Sequence, residues 1–358
     1  MAGASSLLTP ERLKLVSKVL FALALGTLGG LFFTWLTMPL PWMLGPMVFN
    51  TVAAVLHAPV APPIKLRPYV VVVIGVMLGS GFTPDVLGQA GAWILSLSFL
   101  GLYLLISGIL VVPYYRYVGG FDRVTAYFAG MPGGLNEMLM IGESMGGDDR
   151  KIVLAHAGRI FVVVCLTAVW FRLIAGYDLG DRSRFGVPFS AIPLGELAAL
   201  AACGVAGFLA GRWLRLPAPT LVGPMLASAA LHLTGLVSSP PPAELVVVAQ
   251  LFLGTIMGCR FIGGDARSIG RALLLSLGAS VIMLSVTGLF AWLFHGLFEQ
   301  TAEQVLLAYS PGGLAEMSLV ALAMNAEVAY VASHHMVRIL MVILLAPLLF
   351  TLLRKLGK

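Results

Sequence analysis

The sequence predicts an all-α polytopic membrane protein built from two inverted-topology repeats. About ten transmembrane helices are joined by two re-entrant or broken segments carrying the motif PGGL. Three observations predict this: the composition, the series of apolar runs, and an internal duplication whose charges change sides. The chain has 358 residues, of which 59% are hydrophobic and 11% charged. Its mean hydropathy is +0.96. Soluble domains are roughly half apolar and a quarter charged, so this chain has too little charged surface to fold in water. The formal net charge of +6 is explained by the positive-inside rule rather than by nucleic acid.

The apolar runs come in order. The first, 16–36, is long enough to cross. The next, 42–57, is shorter and contains Gly45-Pro46, and 69–82 and 92–112 follow. The run 123–145 is interrupted by Pro132-Gly133-Gly134, and 152–175 closes the first repeat. The series then returns as 194–213, 219–236, 245–261, 272–297, 303–324 and 329–353. This divides the chain into a cytoplasmic N-terminal segment (1–15), a first membrane repeat (16–175), a polar connector (176–190) and a second membrane repeat (191–354). Arg12, Lys14 and Lys18 before the first run give it the look of a signal peptide. A cleaved leader would not recur as an internal copy, so it is read as a span.

The duplication is dense. Gly45-Pro46-Met47 and Gly223-Pro224-Met225 lie 178 positions apart. After one inserted residue the offset is 179, and Gly75, Gly79 and Phe82 match Gly254, Gly258 and Phe261. Pro132–Met138 matches Pro311–Met317, and His156 and Arg159 match His335 and Arg338. The basic residues decide the relative orientation. In the first repeat Lys65, Arg67, Arg116 and Arg123 fall in alternate loops; in the second, Arg212, Arg215, Arg260, Arg267 and Arg271 take the opposite phase. Corresponding loops therefore face opposite sides. That requires an odd number of crossings per repeat, which follows if the PGGL segment enters and leaves on one side. Both termini then lie in the cytoplasm. A different choice of re-entrant segment fits the charges as well, and Arg172, Arg182 and Arg184 fall on the minority side.

The paired PGGL interruptions carry the chemistry. Proline removes a donor and Gly-Gly admits angles other residues avoid. Broken backbone inside a membrane needs protein or water to satisfy its polar groups, and interruptions at matching places in two repeats point to a transporter site. The same residues also suit a tight turn closing an ordinary hairpin. The candidate substrate-binding residues are Gly133, Gly134, Asn136, Glu137, His156 and Arg159, with Gly312, Gly313, Glu316, His335 and Arg338. Each glutamate opens a resuming helix, where the dipole favours a carboxylate. Each arginine lies inside an apolar run, where a charge faces a partner or a cavity. The expectation is that Glu137 pairs with Arg159 and Glu316 with Arg338, or that they cross-pair between repeats. The bland reading is that such pairs lock the broken helices together. Asn50 and Asn136 lack an amide counterpart, so the two repeats are not expected to contribute identically; either suits a ligand contact, and both read better as helix–helix hydrogen bonds.

No cofactor or metal is expected. Histidines 57, 156, 232, 295, 334 and 335 are scattered, with no H-E-x-x-H pattern, and His334 and His335 point to different helix faces. Cys165, Cys203 and Cys259 read as small core or lipid-facing residues. No phosphate loop occurs.

The L-G-P-M block at 44–47, echoed at 222–225 as V-G-P-M, and the P-G-G-L-x-E-M blocks at 132–138 and 311–317 resemble the AbrB membrane-protein family over essentially the whole chain. The resemblance implies a duplicated domain of the bacterial inner membrane. It brings two labels, ammonia monooxygenase and regulator of aidB expression. The first fits poorly without a metal cluster. The second cannot mean direct DNA binding, for want of a domain to do it.

The expected function is secondary transport of a small polar or anionic solute, open to proton coupling, with indirect effects on gene expression. The alternative is a membrane sensor without net flux. An enzyme is not expected. The expected partners are the lipid bilayer and the solute, with no direct nucleic acid, and a homo-oligomer is compatible with the sequence.

Overall fold

The computed structural model describes residues 10–89, 91–176 and 186–356. Residues 1–9, and most of the connector expected at 176–190 with Arg182 and Arg184, lie outside the described residues. The described chain is helical throughout, with no strand.

The first repeat contains α1 (Pro10–Trp35), α2 (Pro41–Val55), α3 (Arg67–Gly79), α4 (Pro84–Gln89), α5 (Trp93–Pro113), α6 (Arg123–Gly130), α7 (Leu135–Ser144) and α8 (Asp149–Val169). The second contains α9 (Leu194–Trp213), α10 (Pro219–Leu233), α11 (Ala243–Gly258), α12 (Ala266–Phe294), α13 (Ala302–Tyr309), α14 (Leu314–Ala323) and α15 (Val328–Leu356). Seven helices are long and apolar enough to cross a membrane: α1, α5, α8, α9, α11, α12 and α15. The rest of the expected crossings fall to α2, α3 and α10. These have 15, 13 and 15 residues, or roughly 20 Å at the helical rise. They are short of the bilayer core and are buried between longer neighbours.

The duplication is written into the backbone. Left-handed residues are uncommon outside glycine, yet here they come in matched pairs. Thr37 and Arg215 both have φ 52, and Leu40 and Ala218 have φ 47 and 45. His57 matches Gly235, Gly120 matches Glu299, and Gly146 matches Asn325. Leu40 and Ala218 each precede a proline that opens the next helix, at α2 and α10. The packing repeats too: α2 lies on α1 and α11, and α10 lies on α9 and α3.

The repeats are inverted. Gly75 and Gly79 of α3 pack on the carbonyls of Leu221 and Met225, so α3 and α10 run in one direction. Gly254 and Gly258 of α11 meet Met43 and Met47 of α2 in the same way. A side chain at any of these four glycines would strike main chain. Arg67, which opens α3, and Arg260, just past the end of α11, feel each other's charge. The mates α3 and α11 are therefore antiparallel. So are the mates α5 and α12: Tyr103 meets Phe290, while Gly119 beyond α5 accepts from Arg271 near the start of α12.

These directions gather Lys65, Arg67, Arg116, Arg123, Arg150, Arg260, Arg267 and Arg271 at one end, the basic end. Asp85, Glu196, Glu244, Glu299, Glu303 and Glu327 gather at the other. The outward faces of α1, α9, α12 and α15 expose large apolar side chains, among them Leu28, Leu209, Leu289 and Leu348, as a lipid-facing surface requires.

Candidate functional site

Each PGGL segment is a re-entrant hairpin. α6 runs alongside α8 in the same direction. Near the base, Asp148 N–H donates to Thr125 Oγ1 at 2.8 Å. Further in, His156 Nε2 donates to the Phe128 carbonyl at 2.9 Å. At the tip, Arg159 donates to the carbonyls of Met131 (2.9 Å) and Gly133 (3.1 Å). The chain then reverses through Gly133-Gly134, and α7 returns toward the turn that starts α8. α13 and α14 do the same from the acidic end. His335 Nε2 donates to Leu307 O at 3.0 Å. Arg338 donates to Ser310 O and, at 2.7 Å, to Gly312 O.

The hairpin bases are fixed by caps. Asp122 accepts from Thr125 N at the start of α6. Thr301 and Gln304 form a capping box on α13. Such caps satisfy donors that the first turn leaves free.

The expected ion pairs Glu137–Arg159 and Glu316–Arg338 do not form. Among the described residues the one salt bridge is Lys151–Asp148 at 2.9 Å. The reason is geometric. Each arginine lies beside the C-terminal end of the inbound half-helix, whose carbonyls lack helical partners and carry negative partial charge. Each glutamate sits on the outbound half-helix and curls back over Gly134 or Gly313, occupying the space a side chain there would take. Glu316 also accepts from its own backbone N–H.

The two glutamates differ in their surroundings. Glu316 feels the charges of Arg67 and Arg260, whose positional counterparts, Val246 and Gly81, carry none. His156 and His335 are buried and hold the hairpins rather than facing a cavity. His335 Nδ1 accepts from Arg338 at 3.0 Å. Asn136 is exposed on α7. Asn50 does bridge helices, donating to Ala22 O at 3.1 Å on α1.

The first tip reaches into the other repeat, one turn past Arg338. Gly133 of the first abuts Val342 on α15 of the other repeat. Arg159 and Arg338 are each only 2% exposed and feel each other's charge, with Tyr103 close to both. Each keeps one buried donor, Nε, without a partner.

A cavity opens at the base of each hairpin. The one at the basic end, about 400 Å³, is lined by Asp148, Arg150, Lys151 and Arg271. The one at the acidic end, about 620 Å³, is lined by His295, Glu299, Glu303 and Glu327. They occupy equivalent places, since Asp148 corresponds to Glu327 and Gly120 to Glu299, but their charges are opposite.

Sequence reasoning missed a buried polar group between the acidic mouth and the tips. His334 Nδ1 donates to Tyr330 O, and its Nε2 lies 2.8 Å from Ser96 Oγ. Tyr309 donates to the Ser96 carbonyl. The Tyr330 and His334 rings are 4.1 Å apart. Tyr330, His334 and Arg338 share one stripe of α15 at helical spacing, and Glu327, immediately before the helix, extends it, a signal visible in the sequence. Burial raises the Glu327 carboxyl above the ordinary carboxylate range. Among the described residues, no group of three or more His, Cys, Asp or Glu is arranged to hold a metal.

A family model described as "Transition state regulatory protein AbrB" matches residues 42–354. The chain belongs to the AbrB family. Two relatives are similar along nearly their whole lengths. "Uncharacterized protein YhjN" of Bacillus subtilis (strain 168) is 26% identical, covering 95% of this chain and 94% of that protein. "Putative regulator AbrB" of Escherichia coli (strain K12) is 26% identical, covering 87% and 89%. The AbrB match begins within α2 and takes in both hairpins and both buried arginines.

Proposed function

We propose that this AbrB-family chain is a secondary transporter of a small anionic solute. It sits in the bacterial inner membrane with its basic end in the cytoplasm, as the positive-inside rule favours, and both termini are on that side. One observation carries the reading. Two buried guanidinium groups, each bound to the tip of a hairpin, lie near enough to feel each other's charge, the hairpins enter from opposite ends, and no carboxylate lies within ion-pair distance of either among the described residues. An uncompensated charge at membrane depth is expensive. The carbonyls at the hairpin tips offset part of it, and an anion held between the guanidiniums would offset the rest. Gly133, Gly134, Gly312 and Gly313 would present backbone groups, Glu137 and Glu316 would shape the pocket walls, and His156 and His335 would position the tips. The hairpins give each side its own route to one central site, as alternating access needs.

The test is a thermal-shift screen of the purified protein with small carboxylates and inorganic phosphate, followed by flux of the stabilising anion into proteoliposomes. A ligand of the native state raises the unfolding temperature. Arg159→Lys and Arg338→Lys should lose that rise. If no anion stabilises the parent, or if both variants respond as the parent does, the reading fails.

A sensor without net flux is the second reading. The name of the Escherichia coli relative, "Putative regulator AbrB", favours it. Stabilisation without flux would decide for it. In either reading the chain is not an enzyme, holds no cofactor and acts on gene expression without touching nucleic acid itself.

A further inference from the structure

We propose that Glu327, Tyr330 and His334 form a proton entry path from the acidic mouth to the arginine pair, with His334 as the site where the proton rests. The proposal rests on the transport reading and deepens it by naming the coupling ion and its residues.

Geometry carries it. Glu327 lines the acidic mouth, and its Oε1 is buried without a hydrogen-bond partner. Tyr330 lies one turn further along α15 and feels the Glu327 charge. Its hydroxyl is buried, faces Ser96 and has no partner of good geometry. His334 follows one turn on, and Arg338 one turn after that. From Glu327 to Arg338 the stripe rises roughly 16 Å, about half the hydrocarbon core. It therefore spans the distance from the membrane surface to the middle.

The hydrogen bonds fix the tautomer of His334. A carbonyl only accepts, so Nδ1 carries the proton that it donates to Tyr330 O. Nε2 is then the basic atom, 2.8 Å from Ser96 Oγ, whose single proton is shared between Nε2 and the Trp93 carbonyl at 3.0 Å. A proton from the water of the mouth binds the Glu327 carboxylate and passes to the Tyr330 hydroxyl. Tyr330 gives up its own proton to Ser96, and Ser96 gives up its own to His334 Nε2. Each oxygen ends with as many protons as it began with, and the net change is one imidazolium beside Arg338. A third positive charge there strengthens the hold on an anion, which ties solute binding to proton binding.

Polar and charged groups from several helices surround this path. Around His334 they are Ser96 of α5, Tyr309 of α13, and His335 and Arg338 of its own helix, while Trp93 of α5 packs on the Tyr330 ring. Around Glu327 they are His295, Glu299 and Glu303 in the mouth. The first repeat has no such path. Its stripe reads Asp148, Lys151, Ala155, Arg159, and it is cut at Ala155, whose carbonyl accepts from Ser276.

The experiment observes the histidine rings directly, by nitrogen NMR of the full-length protein labelled at histidine in lipid nanodiscs, with no solute added. His334→Asn assigns the signal. In the parent, Nε2 of His334 should gain a proton as the pH falls and should exchange that proton with bulk water. Glu327→Gln and Tyr330→Phe keep the side-chain volumes and should abolish the exchange. A His334 ring that stays in one protonation state at every pH, or that exchanges equally in both variants, overturns the path. This outcome is separate from the anion screen. His334 can titrate where no anion binds, and an anion can bind where His334 is inert.

Discussion

Arg338 donates to the carbonyl of Gly312 at 2.7 Å, and this bond binds the tip of one hairpin to the helix that follows it. Arg159 binds Gly133 in the same way. Each guanidinium bridges two carbonyls of one tip, a planar fork that a lysine ammonium cannot reproduce. Arg159→Lys and Arg338→Lys should each leave at least one buried carbonyl without its donor. That costs about 1–3 kcal/mol per orphaned group. Thermal unfolding in detergent reads the loss, and equal stability of parent and variants would show that the tips are held by something else.

The glutamates should behave differently from one another. Glu137 makes no ion pair with Arg159, so a double-mutant cycle between them should give a coupling near zero. Glu316 feels Arg260, so Glu316→Gln combined with Arg260→Gln should depart from additivity by about 0.5–3 kcal/mol. The arithmetic is read from the unfolding of each single and double variant. A large coupling at Glu137–Arg159 would restore the ion pair read from the sequence.

The directions of the helices predict sidedness. Single cysteines replacing Lys65 and Arg267 should react with an impermeant thiol reagent from one side of the membrane, and cysteines replacing Glu244 and Glu303 from the other. The native Cys203 and Cys259 are buried and should contribute little background. Labelling of Lys65 and Arg267 from opposite sides would dismantle the inverted repeat.

The sequence made the architecture legible because a bilayer imposes strong rules. Apolar length, the alternation of basic loops and the matched PGG breaks are all one-dimensional signals, and they were enough to give inverted repeats with re-entrant hairpins. The ion pairs were misjudged for a physical reason. A glutamate and an arginine of opposite sign near one break look like partners, but the free carbonyls at the end of α6 are invisible to a count of charges. They bind the guanidinium first. His335 repeats in the other half, whereas His334 has Ala155 as its counterpart, so the duplication marks the first and not the second. The polar stripe from Glu327 to Arg338 belongs to one repeat alone, so a search for symmetry hides it. The seven long helices fell short of ten crossings for a related reason. α2, α3 and α10 are buried inside the bundle and need not match the bilayer by themselves.

Asp148 and Glu327 hold equivalent positions at the hairpin bases, yet their carboxyl groups should respond to pH in opposite senses. Burial acts to raise Asp148, but the hydrogen bonds and charge of Lys151 outweigh it and hold the group below the usual range. The counterpart of Lys151 is Tyr330, which brings no charge, so burial alone acts on Glu327 and raises it. A lowered carboxyl contributes stability that is present above its unfolded value, near ~3.9 for aspartate, and is lost as pH falls through the folded value. A raised carboxyl contributes stability below its unfolded value, near ~4.3 for glutamate, and loses it as pH rises through the folded value. Both groups are partly exposed, so the effects are small and screened by salt. In unfolding measured against pH, Asp148→Asn should flatten the acid limb, and Glu327→Gln should flatten the decline that begins above the ordinary glutamate range. If both variants flatten the same limb, the two sites share one electrostatic environment and the asymmetry between the repeats stops at the hairpin bases.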